Sequence, residues 1–309
     1  MSLTAAGIEA FGDEVTLLEL PDPPALKAGQ VLIDVKAAGV GNWEEFVRTG
    51  GWDIGRAPPL ALGVEAAGEV VDVGPGVQWP AAGAAVMTHP LPLPYQGCWA
   101  DRLVAPARLV AEKPDNASWA QAAAFPVPAL TSEQVVSEAL DVQPGETILV
   151  NGAGGVTGGM IVELAANRGA TVIATASESS AARVTALGAD VVIDYHDPQW
   201  TSRATDVAGS SGIRAAANAA GGGESDALST LVDGGRLATI TGAPPPEERG
   251  IRIVDVIIRP DGDELRHLAA SLAEGTLHID IRATYPLERA AEALAQATNG
   301  SGGAVVLEP

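Results

Sequence analysis

The chain contains a single cysteine, Cys98, among its 309 residues. One thiol permits no internal disulfide and no cysteine-rich metal site. No apolar run in the sequence approaches the ~20 residues that a helix needs to cross a bilayer. The opening segment, MSLTAAGIEAFGDE, lacks the basic flank and the apolar core of a signal peptide. We therefore expect a cytoplasmic protein without a membrane partner.

Basic residues are scarce, with 18 Lys and Arg against 39 Asp and Glu and a formal charge of −21. That balance disfavours binding to a phosphate backbone and to an anionic membrane surface, so we expect no nucleic-acid partner. Solubility is the ordinary explanation of the charge, and adaptation to high salt is a variant of it. The hydrophobic content of 47% is that of a packed globular protein, and the length suits two domains.

The stretch ETILVNGAGGVTGGMIVELAANRGATVIATAS (146–177) predicts a dinucleotide site. A short apolar strand at 148–150 precedes a turn that contains Gly152, Gly154, Gly155 and Gly158, and a helix and a β-branched strand follow. A pyrophosphate would lie against the amides of 155–158, where a helix N-terminus concentrates positive charge. Glycine turns also serve ordinary strand-to-helix packing, but the flanking strands and helix favour nucleotide binding. The turn lacks the lysine of a phosphate-binding NTPase loop.

The pattern of elements changes near residue 118. Before it, short strand candidates at 31–40 and 68–74 alternate with connections rich in proline and glycine, which predicts a β-rich domain. After it, Ser118 is a candidate N-cap, helical spacing follows at 129–140, and strands then alternate with helices. The later strand candidates lie at 190–195, 213–220, 236–242 and 251–258. The sequence therefore predicts an α/β protein with a doubly wound parallel sheet.

Several further segments occur in the order and at the spacing of one known family. They are LGVEAAGEVVDVGPGV (62–77), GCWADRLV (97–104), AAAFPVPALT (122–131), NGAGGVTGG (151–159), LGADVVIDY (187–195) and YPLERAAEAL (285–294). With them the chain resembles the medium-chain dehydrogenase/reductase superfamily nearly end to end, most closely its zinc-free quinone oxidoreductase and enoyl reductase branch. The resemblance implies a Rossmann-type NADPH-binding domain at 118–261. It also implies a GroES-like β-rich substrate domain formed by 1–117 and 262–309.

Departures from the family pattern concern the substrate domain. Zinc-using relatives carry a cysteine and a histidine at the positions that align with Gly41 and Val64, and their four-cysteine lobe has no counterpart here. The resemblance therefore implies an enzyme without a metal. The zinc-free branch often has an asparagine and a tyrosine where this chain has Gly41 and Phe46, so the tyrosine hydroxyl is missing. Asn42, one residue displaced, either reaches the nicotinamide or substrate or forms an Asx turn.

The cofactor prediction is NADPH. An NAD site uses an acidic residue at the end of the second strand, whereas this strand ends at Ser177. Arg183 could supply positive charge and Tyr195 aligns with an adenosine-phosphate contact of the family, but Glu178 argues for NADH if it binds the ribose. Val156 replaces the second of the family's paired glycines. The full predicted set is Thr131, Gly152, Gly154, Gly155, Val156, Thr157, Gly158, Ser177, Arg183, Tyr195, Ala220, Thr241 and Gly242.

Without zinc, an enzyme of this family has no Lewis acid for alcohol chemistry, and a conjugated acceptor is the natural substrate. The predicted catalytic residues are Asn42, Trp43, Phe46, Trp52 and Tyr95, and Trp99 is a further candidate for the substrate walls. Each aromatic residue could equally be core packing. Tyr95, Glu44 and solvent are all candidates for the proton donor. The sequence around His89 is more typical of a loop than of a catalytic site.

Three functions remain open at this point. They are NADPH-dependent reduction of a quinone, reduction of an activated double bond in a small enone or a polyketide-like intermediate, and non-catalytic NADPH binding as a redox sensor. In addition, IRIVDVII (251–258) offers an apolar edge strand after the last strand of the predicted sheet. Related two-domain reductases commonly extend that sheet across a two-fold axis, so we expect a homodimer.

Overall fold

The computed structural model describes residues 2–300 and 302–309. In chain order, the strands are β1 (Ser2–Ile8), β2 (Thr16–Pro21), β3 (Gln30–Val40), β4 (Leu60–Ala61), β5 (Ala66–Val73), β6 (Ala85–Thr88), β7 (Arg102–Pro106), β8 (Val110–Glu112), β9 (Thr147–Asn151), β10 (Thr171–Thr175), β11 (Val191–Ile193), β12 (Ile213–Asn218), β13 (Leu231–Thr239), β14 (Arg252–Asp255), β15 (Ile281–Pro286) and β16 (Ala304–Glu308). The helices are α1 (Trp43–Arg48), α2 (Trp119–Ala124), α3 (Pro126–Glu133), α4 (Val156–Asn167), α5 (Glu178–Ala186), α6 (Trp200–Ala208), α7 (Glu224–Ser229), α8 (Gly262–Glu274) and α9 (Ala290–Thr298).

The chain forms two compact units, Met1–Val127 with Pro260–Pro309 and Pro128–Arg259. The sequence analysis placed the boundaries at 118 and 262, and the first difference arises from α2. This helix begins at Ser118 with a capping box, as predicted, but it packs against β3 and β5 of the first unit. Its three buried alanines make that close packing possible.

The first unit is rich in β-strands. One of its sheets has the order β2-β1-β4, and the other has the order β15-β16-β3-β5-β6-β8, with β7 also pairing β3. Strand β3 buries every second side chain from Val31 to Val35 and every residue from Ala37 to Val40. The C-terminal strand β16 pairs antiparallel with β3. The tail of the chain therefore completes the sheet of the first unit.

The second unit contains a six-stranded sheet in the order β11-β10-β9-β12-β13-β14, and every neighbouring pair is parallel. This is the doubly wound order in which the first strand of the unit lies between the second and the fourth. Residues 148–150 of the central strand β9 are fully buried, as expected for a parallel strand covered on both faces. Helix α4 follows the glycine turn, and Gly169, at φ +80°, lies just after its end. The predicted α/β fold class is confirmed.

The helix predicted over 129–140 differs from the observed one. Helix α3 begins earlier, at Pro126, and a π-helical turn replaces regular helix at Gln134–Ala139. Both ends of the Gln134 amide bond to the backbone of Arg259, and the Arg252 guanidinium donates to the carbonyl of Ala139. These partners lie more than 100 residues away, so local spacing could not reveal them. No helix in the described ranges is long and apolar enough to span a membrane.

Strand β14 forms an edge of the parallel sheet, and β13 is its sole strand partner in the described chain. We propose that a second copy of the chain pairs there, because a bare edge strand is prone to uncontrolled association. Light scattering should then give twice the mass of one chain. Val254→Lys in β14 should shift the protein to monomer, whereas Val207→Lys, at a half-exposed valine of α6, should not. A monomeric parent at micromolar concentration would contradict this.

Candidate functional site

Polar side chains terminate the four adjacent central strands of the parallel sheet. Thr175, Asn151, Asn218 and Thr239 are the last residues of β10, β9, β12 and β13, and all four are buried. The Thr175 hydroxyl donates to Asn151 Oδ1 at 2.6 Å, and Asn151 Nδ2 donates to Asn218 Oδ1 at 2.7 Å. Because the carboxyl ends of parallel strands meet at one edge, these side chains form a continuous row there.

The row continues to a buried carboxylate. Asn218 Nδ2 donates to the Ala220 carbonyl at 3.0 Å and lies 3.5 Å from the Thr239 hydroxyl. The hydroxyls of Thr239 and Thr241 are 2.9 Å apart, and Thr241 donates to Glu224 Oε1 at 2.6 Å. We call the six residues Thr175, Asn151, Asn218, Thr239, Thr241 and Glu224 the polar seam. Inside a protein such a fully bonded network fixes the geometry of the groups that it contacts.

The polar seam holds the glycine turn. The Gly152 amide donates to the Thr175 hydroxyl at 3.0 Å, and the Ala153 amide donates to the Thr175 carbonyl at the same distance. Gly152 has φ +85°, which favours glycine. Gly223 lies against the seam, since a Cβ atom there would overlap the Asn151 amide. The turn, Gly223 and Ala220 are therefore all positioned by buried side chains that the sequence analysis did not single out.

The N-terminus of α4 fits an anionic phosphate. Its N-cap is Gly155, and no side chain caps the helix. A Cβ atom at Gly155 would meet nothing nearer than the Gly152 carbonyl, at 3.5 Å, so the space in front of the first helical amides is open. Uncapped amides at the positive end of this 12-residue helix attract anions, which is consistent with the predicted phosphate position. Val156 and Thr157 begin this helix, and the Thr157 carbonyl accepts from Ser132, next to the buried Thr131.

Gly158 packs closely against the glycine turn. A Cβ atom at this position would overlap the Gly152 carbonyl, and it would lie 3.1 Å from the Ala153 Cα atom. The missing side chain therefore lets α4 approach the turn closely. The structure thus shows helix-to-turn packing at Gly158, and its predicted position beside the pyrophosphate stays a prediction.

The residues at the end of β10 are arranged around Arg183 of α5. Its Nη2 donates to the Gly154 carbonyl at 2.6 Å, so the guanidinium braces the glycine turn. The Ser177 hydroxyl lies 3.0 Å from that of Ser179 and 3.3 Å from that of Ser180, while Glu178 is exposed. Tyr195 is half exposed, and its ring stacks on His196. Gly242, at φ +72°, donates its amide to Asp255.

In the first unit, a buried carboxyl organises the loop that follows β4. Glu44 of α1 is fully buried, and it accepts the amides of Gly63 at 3.2 Å and Val64 at 3.1 Å. Burial raises the pKa of Glu44 to about 7, although the two amides partly oppose the rise. Glu65 accepts the Val127 amide at 2.7 Å, and burial raises its pKa well above the ordinary value. Two carboxyls are thus enclosed on either side of Val64.

The indole of Trp43 lies directly over Gly41. A Cβ atom at Gly41 would overlap the six-membered ring of Trp43, so glycine is required for this arrangement. The indole nitrogen is buried beside the Glu44 carboxyl but makes no hydrogen bond of acceptable geometry within the described chain. Asn42, the N-cap of α1, makes no side-chain capping bond and is exposed, so the Asx-turn alternative has no support here.

The remaining aromatic candidates occupy different environments. Phe46 is half exposed and Trp52 is half buried, and the amide of Trp52 donates to the Phe46 carbonyl. Tyr95 packs against the apolar cluster under β1 and β2, and its hydroxyl donates to the Pro21 carbonyl at 2.6 Å. Trp99 is fully buried and donates to the Gly39 carbonyl at 2.9 Å. Of the two alternatives for these aromatic residues, core packing is therefore the one that applies to Trp99.

His89 is fully enclosed rather than placed on a loop surface. Its Nδ1 lies 2.7 Å from the Val64 carbonyl, and burial lowers the pKa of His89 to about 4. The ring is therefore neutral, and Nδ1 carries the proton that it donates to the carbonyl. Nε2 is buried without a partner in the part of the chain that the structure describes. Sequence spacing gave no sign of this contact, because its partner is 25 residues away.

Gly155→Asp should separate folding from cofactor binding. The new carboxylate would cap α4 and leave the apoprotein as stable as the parent or more so, but it would place negative charge where a phosphate binds. We expect NADPH affinity, measured by fluorescence titration, to fall at least about tenfold. Gly155→Asn is the matched neutral control and should weaken binding less. Unchanged affinity in Gly155→Asp with an intact melting temperature would exclude this phosphate site.

Glu44 should make stability depend on pH. Its pKa is about 7 when folded against 4.5 as a model value, so the folded state holds the proton more tightly. The free energy of unfolding should therefore fall as pH rises from about 4.5 to 7, relative to Glu44→Gln, by about 1.4 kcal/mol per pH unit. His89 has the opposite sign, but it is present in both proteins and cancels. Urea unfolding at several pH values tests this, and a difference independent of pH would contradict it.

Comparison with known proteins agrees with this architecture. Residues 27–115 match the model of the alcohol dehydrogenase GroES-like domain, and residues 187–307 match the model described as zinc-binding dehydrogenase. The chain is 33% identical over 304 residues to a chloroplastic NADPH-dependent alkenal/one oxidoreductase of Arabidopsis thaliana, covering 93% of this chain and 74% of that protein. It is 37% identical over 220 residues to a pikromycin polyketide synthase component of Streptomyces venezuelae. That match covers 71% of this chain but only 5% of the synthase component.

Solved structures with the same fold include enzymes of more than one description. An NAD-dependent alcohol dehydrogenase superposes with a TM-score of 0.90 at 28% identity over 99% of both chains. The quinone oxidoreductase of Coxiella burnetii superposes with a TM-score of 0.87 at 25% identity over the whole of both chains. With the GroES-like unit, the doubly wound unit and the glycine turn in place, the chain belongs to the medium-chain dehydrogenase/reductase superfamily, whose members use a nicotinamide cofactor.

Proposed function

We propose that the protein is a zinc-independent, NADPH-dependent oxidoreductase. Its acceptor is a quinone or the activated double bond of an α,β-unsaturated carbonyl compound. A relative that matches most of this chain is named for alkenal and enone reduction, and a solved structure that aligns over its full length is named a quinone oxidoreductase. A bound reduced nicotinamide supplies the hydride, and the protein supplies position and electrostatics.

The observation that carries the proposal is the indole of Trp43 lying over Gly41. In zinc-using relatives the positions of Gly41 and Val64 carry the metal-binding cysteine and histidine. Here one side chain is a hydrogen atom, the other is a buried isopropyl group, and an aromatic ring fills the space above the glycine. Neither residue offers a donor atom to a metal. A conjugated acceptor needs no Lewis acid, because charge develops on a remote oxygen that water or hydrogen-bond donors stabilise.

The first unit offers aromatic surfaces for a flat acceptor. Trp43 and Trp52 are half buried, and Phe46 presents about half of its surface. Stacking on such rings orients a planar quinone or enone, and orientation is the main contribution available without a strong electrophile. The Tyr95 hydroxyl already donates to Pro21, and the Glu44 carboxyl is enclosed. Solvent is therefore the proton source that we propose for the reduced product.

NADPH is the cofactor form that we propose. Ser177, the N-cap of α5, lies two residues after the end of β10, with the hydroxyls of Ser179 and Ser180 beside it. Three hydroxyls suit the 2′-phosphate better than a ribose diol. Arg183 adds positive charge at this end of the turn, although one of its nitrogens is engaged with Gly154. The side chain of Glu178, the acidic residue that would favour NADH, is exposed. The alkenal/one oxidoreductase relative is also named for NADPH.

A polyketide-type enoyl group is a second candidate acceptor. The observation that favours it is the 37% identity with a polyketide synthase component over 220 residues. An enoyl thioester is an activated double bond of the same electronic kind, so the same residues would serve it. Thioester and free enone substrates should be compared directly.

NADPH oxidation followed against a panel of quinones, enones and enoyl thioesters tests the proposal. We expect turnover with conjugated acceptors and none with simple alcohols and NADP⁺. Trp43→Ala should mainly raise KM through lost stacking, and Phe46→Tyr should preserve or modestly raise turnover. Trp79→Ala removes an exposed indole that contacts Arg266 and should leave KM unchanged. Oxidation of simple alcohols, or stoichiometric zinc in the active protein, would contradict the proposal.

A further inference from the structure

Hydrogen bonds in the polar seam run in one direction. Thr175 donates to Asn151, and Asn151 donates to Asn218. At the far end the Thr241 hydroxyl donates its one proton to Glu224. The Thr239 hydroxyl lies 2.9 Å from the Thr241 hydroxyl, so Thr239 must be the donor of the bond between them. The side-chain amide of Asn218 donates to the Ala220 carbonyl and to the Thr239 hydroxyl. One series of side-chain donors, from Thr175 to Thr241, therefore leads to the carboxylate of Glu224, while Asn218 also donates to the Ala220 carbonyl outside that series.

Glu224 carries its charge in a buried position. Only 8% of the residue is exposed, and its partners are neutral groups, namely the Thr241 hydroxyl at 2.6 Å and the Gly222 amide at 3.3 Å. Burial alone would raise the pKa of this carboxyl, but these hydrogen bonds and its own amide outweigh burial and lower the pKa. No lysine or arginine contributes. The carboxylate is thus ionised at neutral pH, and the groups that hold it in the described chain are neutral.

The strand order gives this charge a definite place along a bound dinucleotide. The pyrophosphate site is the turn after β9, and the adenosine ribose lies at the end of β10 on one side of it. The other half of the molecule must continue in the opposite direction, towards β12 and β13. Thr241 follows the end of β13, and Glu224 begins α7 after β12. The charged end of the polar seam therefore lies on the nicotinamide side of the sheet.

We propose that Glu224 is the counter-charge by which the protein distinguishes the oxidised from the reduced cofactor. The oxidised nicotinamide ring is positively charged and the reduced ring is neutral, so a fixed carboxylate on this side of the sheet attracts only the oxidised form. The other seam residues hold the carboxylate in place and polarise it. This inference rests on the proposed nicotinamide-dependent function, but it concerns binding and not the acceptor.

The test compares dissociation constants of NADP⁺ and NADPH by isothermal titration, without turnover. In Glu224→Gln, which keeps an oxygen for Thr241 and Gly222, NADP⁺ affinity should fall about 3- to 10-fold relative to NADPH affinity. Glu224→Ala is a second neutral variant and should shift the ratio in the same direction. Asp226→Asn removes an equal charge from an exposed position on the same helix and should leave the ratio unchanged. Thr241→Val keeps the charge but removes the hydroxyl that holds the carboxylate, so it should shift the ratio in the same direction and by less.

Equal weakening of both cofactor forms in the neutral variants would overturn the inference and leave Glu224 a structural role alone. An equal shift of the ratio in Asp226→Asn would overturn it as well, because general surface charge would then suffice. If the parent protein binds both cofactor forms but reduces no quinone or enone, the proposed function fails. The ratio of the NADP⁺ and NADPH dissociation constants in Glu224→Gln still tests this inference in that case. If the parent binds neither form, both fail together.

Discussion

The bond between the Thr175 hydroxyl and the Gly152 amide joins the core of the sheet to the cofactor turn. Four parallel strands end at one edge with polar residues, and burial requires each of those side chains to find a partner. Their partners in the described chain are one another, Thr241, the Ala220 carbonyl and the backbone of the turn. An unsatisfied buried polar group costs about 1–3 kcal/mol, so the row is stable only when complete. The position of the turn is therefore set by the sheet beneath it and not by the flexible glycines themselves.

A comparable constraint operates in the first unit around Val64. Its amide is held by Glu44 and its carbonyl by His89, while the neighbouring Glu65 binds the start of α3. These groups fix α1, and with it the indole of Trp43 over Gly41. In a metal enzyme of this superfamily the same neighbourhood presents ligands. Here it presents an aromatic ring, two enclosed carboxyls and an enclosed imidazole, which suits the proposed acceptor, since that acceptor is activated by its own conjugation.

Local sequence patterns predicted the elements whose causes are local. The apolar run of β9, the glycine turn and the cap at Ser118 all follow from residues close in the chain. The sequence patterns did not predict the polar seam, because Asn151 and Asn218 are 67 residues apart. A signal was present, since each seam strand has a polar residue directly after an apolar run. Gly158 and Arg183 were assigned to phosphate from their positions, whereas their observed contacts are with the backbone of the turn.

The central claim is that the protein delivers a hydride to the electrophilic carbon of a conjugated acceptor. Transfer of deuterium from NADPH in which both hydrogens at C4 of the nicotinamide are replaced by deuterium tests it most directly, because either face of the ring then delivers the label. With an enone acceptor, mass spectrometry and NMR of the product should locate one deuterium on the β-carbon, and the hydrogen on the α-carbon should come from solvent. A product that carries deuterium on the carbinol carbon would indicate carbonyl reduction, and an unlabelled product would exclude hydride transfer. Either result would contradict the account.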